Sequence, residues 1–455
     1  MIKQMQDYFF IGIAGTGMSA LAQYLKGIGK KVSGSDRFFK TGEYNETRDK
    51  LEAAGIQCFE QNGSGITEKT ECVIISSAIE ETVPEMQKAR QHQIPVLKRS
   101  ELLAEIVISK KTIAIGGTSG KSTTSAMMFD ILKYAGLEPS IISGAGLVSI
   151  IKEGKIGNAD VGNGQWLVIE ADESDGSIVQ YHAAIGVLLN IDKDHKEIDV
   201  LMDVFAQFRN NSEHFIVNRS HLLAATLSTS INHDFSVDPI QDIGFRATDF
   251  KQEGLHIYFR INNVPFTLQT VGRHNMENAL AAAATAFQIG IPLEVSAAAL
   301  AKYEGIYRRH QVLGQKNGIW LIDDYAHNPV KCARSIEACH PLAEKVIAWL
   351  QPHGYAPTKF LRKDFVMELS GALRPQDEIW MSEIFYAGGT TVKDISAADL
   401  VDDLRTLGKN AFFVENRNNL VTAMRSHFSN DCVLLLMGAR DPSLEDFARQ
   451  IWEEL

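Results

Sequence analysis

The chain has 455 residues, 45% of them apolar and 22% charged, the make-up of a globular protein too long for one core, so about two to four domains are expected. A formal net charge of −11 argues against nucleic acid or a membrane surface as the main partner, while leaving room for a locally basic phosphate pocket. The five cysteines, Cys58, Cys72, Cys332, Cys339 and Cys432, form no CxxC pair. Such an odd, scattered set suits a reducing cytosol, with Cys332 and Cys339 packed in the core of a helix rather than on a metal.

The opening "MIKQMQDYFFIGIAG" reads as a first strand rather than a signal peptide. No stretch reaches the roughly 18 apolar residues that a membrane span requires, so a cytoplasmic protein is expected. After the apolar run Tyr8–Ile13 come the glycine turn "GIAGTGMSA" and the helical "MSALAQYLKGIG". "KVSGSD", "ECVIISSAI" and "IPVLKR" read as further strands between helices, which predicts a parallel sheet closing near Ser109. "KTIAIGG" opens a second unit, continued by "QWLVIEADES" and "AAIGVLLNIDKDH", two apolar strands that end in acids or a histidine. Ligands of open α/β sheets sit off the carboxyl ends of strands, where those clusters fall.

A less apolar stretch, roughly 235–271, is expected to form short antiparallel strands. The alanine-rich "NMENALAAAATAFQIG" and the turn "YEGIYRRHQVLG" close this unit near Arg309. The third unit alternates again through "GIWLIDDYA", "KVIAWLQPH", "DEIWMSEI", "NAFFVE" and "DCVLLLMGA". The expected fold is α/β in three consecutive domains: a Rossmann-like domain over 1–109, a P-loop ATPase domain over 110–309, and a Rossmann-like domain over 310–455.

Two glycine-rich turns stand before helices, each suited to phosphate because backbone N–H groups and a helix N-terminus converge on one anion. In "AIGGTSGKSTT" the standard phosphate-loop glycine is replaced by Ile115, and Gly116 and Gly117 shorten the loop. Lys121 would reach the terminal phosphates, and the Ser122 hydroxyl a magnesium ion. "IEADESD" places Glu170, Asp172, Glu173 and Asp175 at one strand end, with Glu173 suited to magnesium. His195 in "NIDKDHKEID" would hold a second magnesium or position an activated carboxylate. The first turn, with Gly12, Gly15 and Gly17, is not GxGxxG and suits any diphosphate, and Asp36 stands about 20 residues on, where a ribose-binding acid belongs.

"GIAGTGMSA", "VSGSD", "ISSAI", "IPVLKRSELLAEI", "GTSGKSTT", "EADESD", "NIDKDH", "GRHNMENALAAAA", "YRRHQVLG", "DDYAHNP" and "QPHGY" together resemble the Mur ligase family along the whole chain. The resemblance implies ATP-dependent amide formation in peptidoglycan synthesis. The carboxylate of UDP-N-acetylmuramate would be activated as an acyl phosphate and then attacked by the amine of L-alanine, with ATP and Mg2+ as cofactors. It assigns Gly117, Thr118, Ser119, Gly120, Lys121, Ser122 and Thr123 to ATP, with His274, Asn275, Asn278, Arg309 and Asp324. Lys121, Glu173, His195 and Arg309 become the catalytic set, and Ser122, Glu173 and His195 the metal set. Gly15, Thr16, Gly17, Met18, Asp36, Ser77 and Arg99 fall to the UDP-sugar, and Tyr325, His327 and His353 to the amino acid. "GRHN" also reads as a helix cap, Tyr325 and His327 as a buried core pair, and Arg308 as a solvated neighbour of Arg309.

The chain also departs from the family pattern. Ser119 stands where the alanine-adding members carry histidine, and Gly354 and Pro357 stand where they carry arginines near the incoming carboxylate. A bidentate guanidinium is hard to replace, and Lys359 or His353 are the substitutes within reach in sequence. "MGARDPSLEDFA" departs from the usual "GAGNIG" and offers Arg440. A ligase adding another amino acid or a tripeptide, and a catalytically silent UDP-sugar-binding homologue, are the alternatives. A nicotinamide-dependent enzyme is the third, and nothing downstream of the first turn resembles a hydride-transfer site.

Overall fold

The protein is described from a computed structural model covering residues 4–193, 197–386, 388, 392–439 and 441–455. Described residues group into two compact units. The first comprises Met1–Thr248, Arg260–Phe266 and Glu277–Tyr307, and the second Asp249–Phe259, Thr267–Met276 and Arg308–Leu455.

In the first unit, β1 (Asp7–Ile11), β2 (Lys31–Asp36), β3 (Gln57–Glu60), β4 (Cys72–Ile75) and β5 (Val96–Lys98) form a parallel sheet in the order β3-β2-β1-β4-β5. Both faces are covered, which is why β1 is buried at every position and reads as an unbroken apolar run. The chain order reverses on either side of β1, so the turns after β1 and β4 open on a common crevice at the carboxyl edge. The helix Thr16–Gly27 starts from the first of these turns and buries Met18, Leu21, Ala22 and Leu25.

A second sheet of the same unit contains β6 (Lys111–Gly116), β7 (Ser140–Ile142), β8 (Ala159–Asp160), β9 (Trp166–Ala171), β10 (Ile185–Leu188) and β11 (His214–Val217), in the order β11-β10-β6-β9-β7-β8. All neighbours are parallel except β7 and β8. β6 is central, flanked by β9 and β10, so the loop after Gly116 meets the acids after β9 and the polar run after β10.

β12 (Phe235–Ser236), β13 (Phe245–Glu253), β14 (His256–Ile261) and β15 (Val264–Leu268) make a small sheet in that order. Here the all-antiparallel expectation is corrected: β12 runs parallel to β13, pairing Phe235 with Phe245. The direction of a two-residue strand is set by its connection, not by its own pattern.

The second unit holds β16 (Gln311–Lys316), β17 (Ile319–Asp324), β18 (Lys345–Gln351), β19 (Glu378–Met381), β20 (Asn410–Phe413) and β21 (Cys432–Gly438), ordered β16-β17-β21-β18-β19-β20. β16 is antiparallel to β17 and the rest are parallel. β21 is buried throughout, as its central place requires. All five cysteines are free and buried, and Cys332 and Cys339 pack inside the helix Pro329–Cys339.

Candidate active site

The phosphate loop runs from Gly116 into the helix Lys121–Tyr134, whose N-cap Gly120 gives no side-chain cap to the helix. Its first N–H groups are therefore left for an anion. Gly120 has φ +84, and a Cβ there would stand 2.5 Å from Asn278 Oδ1. A larger residue there is strained and must displace the Asn278 side chain. Asn278 also accepts a hydrogen bond from Thr124 Oγ1 at 3.3 Å, so its amide is built into the loop's far wall.

From the β10 side, Asn190 shapes the loop. Its Oδ1 accepts from Thr118 Oγ1 (2.9 Å) and the Ser119 amide (2.8 Å), while its Nδ2 donates to the Ser119 carbonyl. The Ser119 hydroxyl is buried and, among the described residues, has no hydrogen-bond partner, a donor left over for a phosphate oxygen.

Lys121 Nζ lies 2.6 Å from Glu173 Oε2 and 2.6 Å from the Gly117 carbonyl. Burial pulls the ammonium toward neutrality, but Glu173, Asp172 and Glu170 outweigh it and its pKa stands above the ordinary lysine value. Burial likewise opposes charge on Asp172, and Lys121 with the Ser174 hydrogen bonds more than offsets it. Ser122 Oγ donates to Glu170 Oε2 at 2.9 Å, and Glu170 also accepts from Ser143 Oγ and the Gly144 amide, both at 2.7 Å. Glu170 was visible in the sequence as one of four acids, without a role. Its position inside β9 is what brings it to Ser122.

These donors fit magnesium. A hard cation takes a hydroxyl and one or two carboxylates and completes its shell with phosphates and water. Ser122, Glu170 and Glu173 supply hard oxygens, and among the described residues no cluster of three or more His, Cys, Asp and Glu would hold a metal unaided. His195 lies outside the described residues, as does Arg440.

The first glycine turn follows β1. Asp36, buried at the end of β2, spends Oδ2 on the Ala14 amide (2.9 Å) and Oδ1 on the Phe38 amide (3.1 Å), so it shapes the turn. Gly15 caps the helix Thr16–Gly27 without a side-chain bond, leaving Thr16, Gly17 and Met18 at an open helix start. Ser77 is exposed just past β4, and Arg99 follows β5 as the first residue of the helix Arg99–Ser109. The residues expected to hold the UDP-sugar thus gather off adjacent carboxyl ends of one sheet.

In the second unit, Asn275 Nδ2 donates to Thr270 Oγ1 and the Val271 carbonyl, a local tie at the start of the helix Arg273–Gln288. His274 is pushed down to about 3, first by burial and then by His310 and Arg334. Asp324, at the end of β17, accepts from Ser335 Oγ at 2.6 Å and stays below the usual carboxylate range. Burial opposes its charge, and His310, Ser335 and Arg309 prevail. Arg309 lies over the Tyr325 ring, 4.9 Å from its centroid. Tyr325 meets His327 edge-on at 5.6 Å, and His327 meets His353 at 5.1 Å. His353 is buried, and burial first, then Lys331, holds His327 well below its ordinary value.

Arg308 corrects its expectation. It is not a solvated neighbour: its guanidinium takes both oxygens of buried Asp323, at 2.8 and 3.2 Å, and the Gly438 carbonyl at 3.3 Å. Lys359 is paired with Asp394.

Three family models match in chain order: "Mur ligase family, catalytic domain" over residues 7–111, "Mur ligase middle domain" over 115–286, and "Mur ligase, glutamate ligase domain" over 308–440. The chain is 32% identical to the UDP-N-acetylmuramate–L-alanine ligase of Geobacter sp. (strain M21), over 96% of each chain. It is 32% identical to that of Myxococcus xanthus, over 95% of this chain and 92% of the relative. Among solved structures, the UDP-N-acetylmuramate-alanine ligase of Thermotoga maritima superposes with a TM-score of 0.79 at 25% identity, covering 99% of both chains. A murein peptide ligase from Psychrobacter arcticus shares the fold, with a TM-score of 0.68 at 19% identity over 99% of this chain and 98% of that one. With three consecutive models and relatives matched end to end, the chain belongs to the Mur ligase family.

Proposed function

We propose that the chain is an ATP-dependent ligase that joins L-alanine to the lactyl carboxylate of UDP-N-acetylmuramate through an acyl phosphate, in cytoplasmic peptidoglycan synthesis. The observation that carries this reading is the Lys121–Glu173 pair at an uncapped helix start, in a chain matched over 96% of its length by alanine-adding relatives. A carboxylate is a poor electrophile toward an amine. Phosphorylation supplies a leaving group, and catalysis of that transfer is mainly positioning and charge neutralisation.

In this reading 1–109 takes the UDP-sugar, 110–309 the ATP and 310–455 the amino acid. Gly15–Met18, Ser77 and Arg99 hold the diphosphate of the sugar nucleotide on a turn fixed by Asp36. Gly117–Thr123 wrap the ATP phosphates, with Asn278 as their wall. Lys121 leaves Glu173 for the terminal phosphate, and Arg309 adds a second cation there. Ser122, Glu173 and His195 would hold magnesium, which when bound would supply neutralisation of charge at the phosphoryl group. Glu170 orients Ser122 for that ion. Asp324 takes the ribose, with His274 and Asn275 shaping the nucleotide's surroundings. Tyr325, His327 and His353 receive the amino acid. His353 is buried and His327 is held neutral, so both suit a neutral amine nucleophile better than a second cation.

The test is phosphate release from Mg-ATP with UDP-N-acetylmuramate against twenty amino acids and short peptides. Release that requires both the sugar nucleotide and L-alanine supports the reading. Release only with a tripeptide would move the chain to the recycling class, and none with any amine would leave a binding protein.

A further inference from the structure

Arg99 and Asp175 lie 76 residues apart and meet at 2.8 Å, Nη2 to Oδ2. The Arg99 guanidinium lies across the first turn of the helix Thr16–Gly27. A Cβ on Gly17 would stand 3.1 Å from Arg99 Cδ and 3.3 Å from Nη1, so glycine is what lets the arginine lie there. Asp175 is itself fixed, because its Oδ1 accepts the Ser177 amide at 2.9 Å. Two residues before it, Glu173 grips Lys121 at 2.6 Å. The short turn from Asp172 to Ser177 therefore holds the ammonium of one phosphate loop at one end and the guanidinium of the other glycine turn at the other.

The joint beneath is tight. Asn158 is buried and donates to the Thr16 carbonyl (2.8 Å) and Ser19 Oγ (2.9 Å), while accepting from Gln23 (2.8 Å), so the helix carrying Gly17 is pinned to the second sheet's own chain segment.

We infer that Asp175 is a positioning residue that couples the two phosphate-binding turns, setting Arg99 across Gly17 and linking occupancy at Lys121 to affinity at the sugar-nucleotide turn. This rests on the proposed assignment of UDP-sugar to the first turn and ATP to the second. A nucleotide that takes Lys121 from Glu173 resets one end of the acidic turn. Asp175, at the other end of the same turn, carries that change to Arg99 and sets the guanidinium across Gly17. A diphosphate arriving at Gly17 meets a guanidinium already ordered, and the two ligands bind with positive coupling.

Calorimetry on the full chain tests this. UDP-N-acetylmuramate is titrated with and without a non-hydrolysable ATP analogue and magnesium. In the parent the analogue tightens sugar-nucleotide binding about tenfold, and the reverse titration gives the same factor by linkage. In Asp175→Asn each ligand still binds alone, but the factor falls to within about twofold of one. Asp175→Glu, which keeps the charge, restores part of it, a rescue that a merely structural role would not produce. Arg99→Lys, which lacks the planar fork, loses the factor from the other end and decides the matter if Asp175→Asn does not fold. A parent factor of one, or an Asp175→Asn or Arg99→Lys factor equal to the parent's, overturns the inference. A parent that binds neither ligand overturns the proposed function instead.

Discussion

Lys121 and Glu173 face each other at 2.6 Å with 15% and 5% of their side chains exposed. A pair so enclosed is a poor source of stability, because desolvation offsets most of the attraction, but it stores an ammonium at the mouth of the phosphate loop. Lys121→Ala is expected to lower turnover by at least about a thousandfold, as loss of an electrostatic clamp does. Binding of UDP-N-acetylmuramate without nucleotide stays near the parent's. Turnover within about tenfold of the parent, measured by phosphate release, would show that the loop is not where phosphoryl transfer occurs.

Gly120 and Gly29 share nearly the same backbone, φ +84 and φ +87, yet their surroundings differ. A Cβ at Gly29 meets nothing within 4 Å, whereas one at Gly120 falls 2.5 Å from Asn278 Oδ1. Both alanine variants carry the left-handed strain of about 1–2 kcal/mol. Gly120→Ala must also move Asn278 or the loop, and should weaken nucleotide binding by more than about tenfold, each 1.4 kcal/mol of misfit being one decade. Gly29→Ala should lower the melting temperature and leave nucleotide affinity alone. Equal affinity losses in the two variants would mean that the Asn278 wall is irrelevant.

Asp130, on the helix Lys121–Tyr134, is a half-buried acid whose pKa is raised to about 7. Burial does most of this, Glu304 adds to it, and Lys133 opposes it. A carboxyl raised in the folded state binds its proton there more tightly than in the unfolded chain. Its cost to stability is therefore absent below the unfolded value near 4 and grows as pH rises toward 7. Asp130→Asn should gain about 2 kcal/mol at pH 8, part of the hydration being retained, and almost nothing at pH 4. Urea unfolding at the two pH values checks this, and a gain of the same size at both would contradict it.

What could be read in advance follows from burial. Parallel strands covered on both faces carry unbroken apolar runs, so β1, β6, β9, β10, β18 and β21 announced themselves, together with the polar turns that end them. The glycine turns were legible for the same reason, since helix starts and φ above zero leave marks in composition. Pairings between distant segments leave none. Nothing near Arg99 names Asp175, and the four acids of "IEADESD" look alike until β9 turns Glu170 toward Ser122 and lets Glu173 reach Lys121. Asn190 was hidden in a strand end read for its histidine, although it is the residue that fixes Thr118 and Ser119.

The neighbouring arginines at 308 and 309 show the same limit and allow a sharp contrast. Arg308 is 11% exposed in its side chain and forks onto Asp323, which is 5% exposed. Burial raises the Asp323 pKa, and Arg308 is the group that opposes it. Arg308→Ala therefore strands a carboxyl among β17, β21 and the Gly438 carbonyl, and should cost about 3–5 kcal/mol of unfolding free energy. Arg309 has no such partner in Asp323; it lies over Tyr325, an arrangement worth about 1 kcal/mol or less at a partly exposed site. Arg309→Ala should therefore unfold near the parent's midpoint while, on the proposed role of Arg309 as a phosphate-binding cation, turnover falls by about a hundredfold or more. Denaturant curves and phosphate release on both variants separate the two roles. If Arg308→Ala is the stable but inactive variant and Arg309→Ala the unstable one, the assignment of the structural and the chemical arginine is reversed.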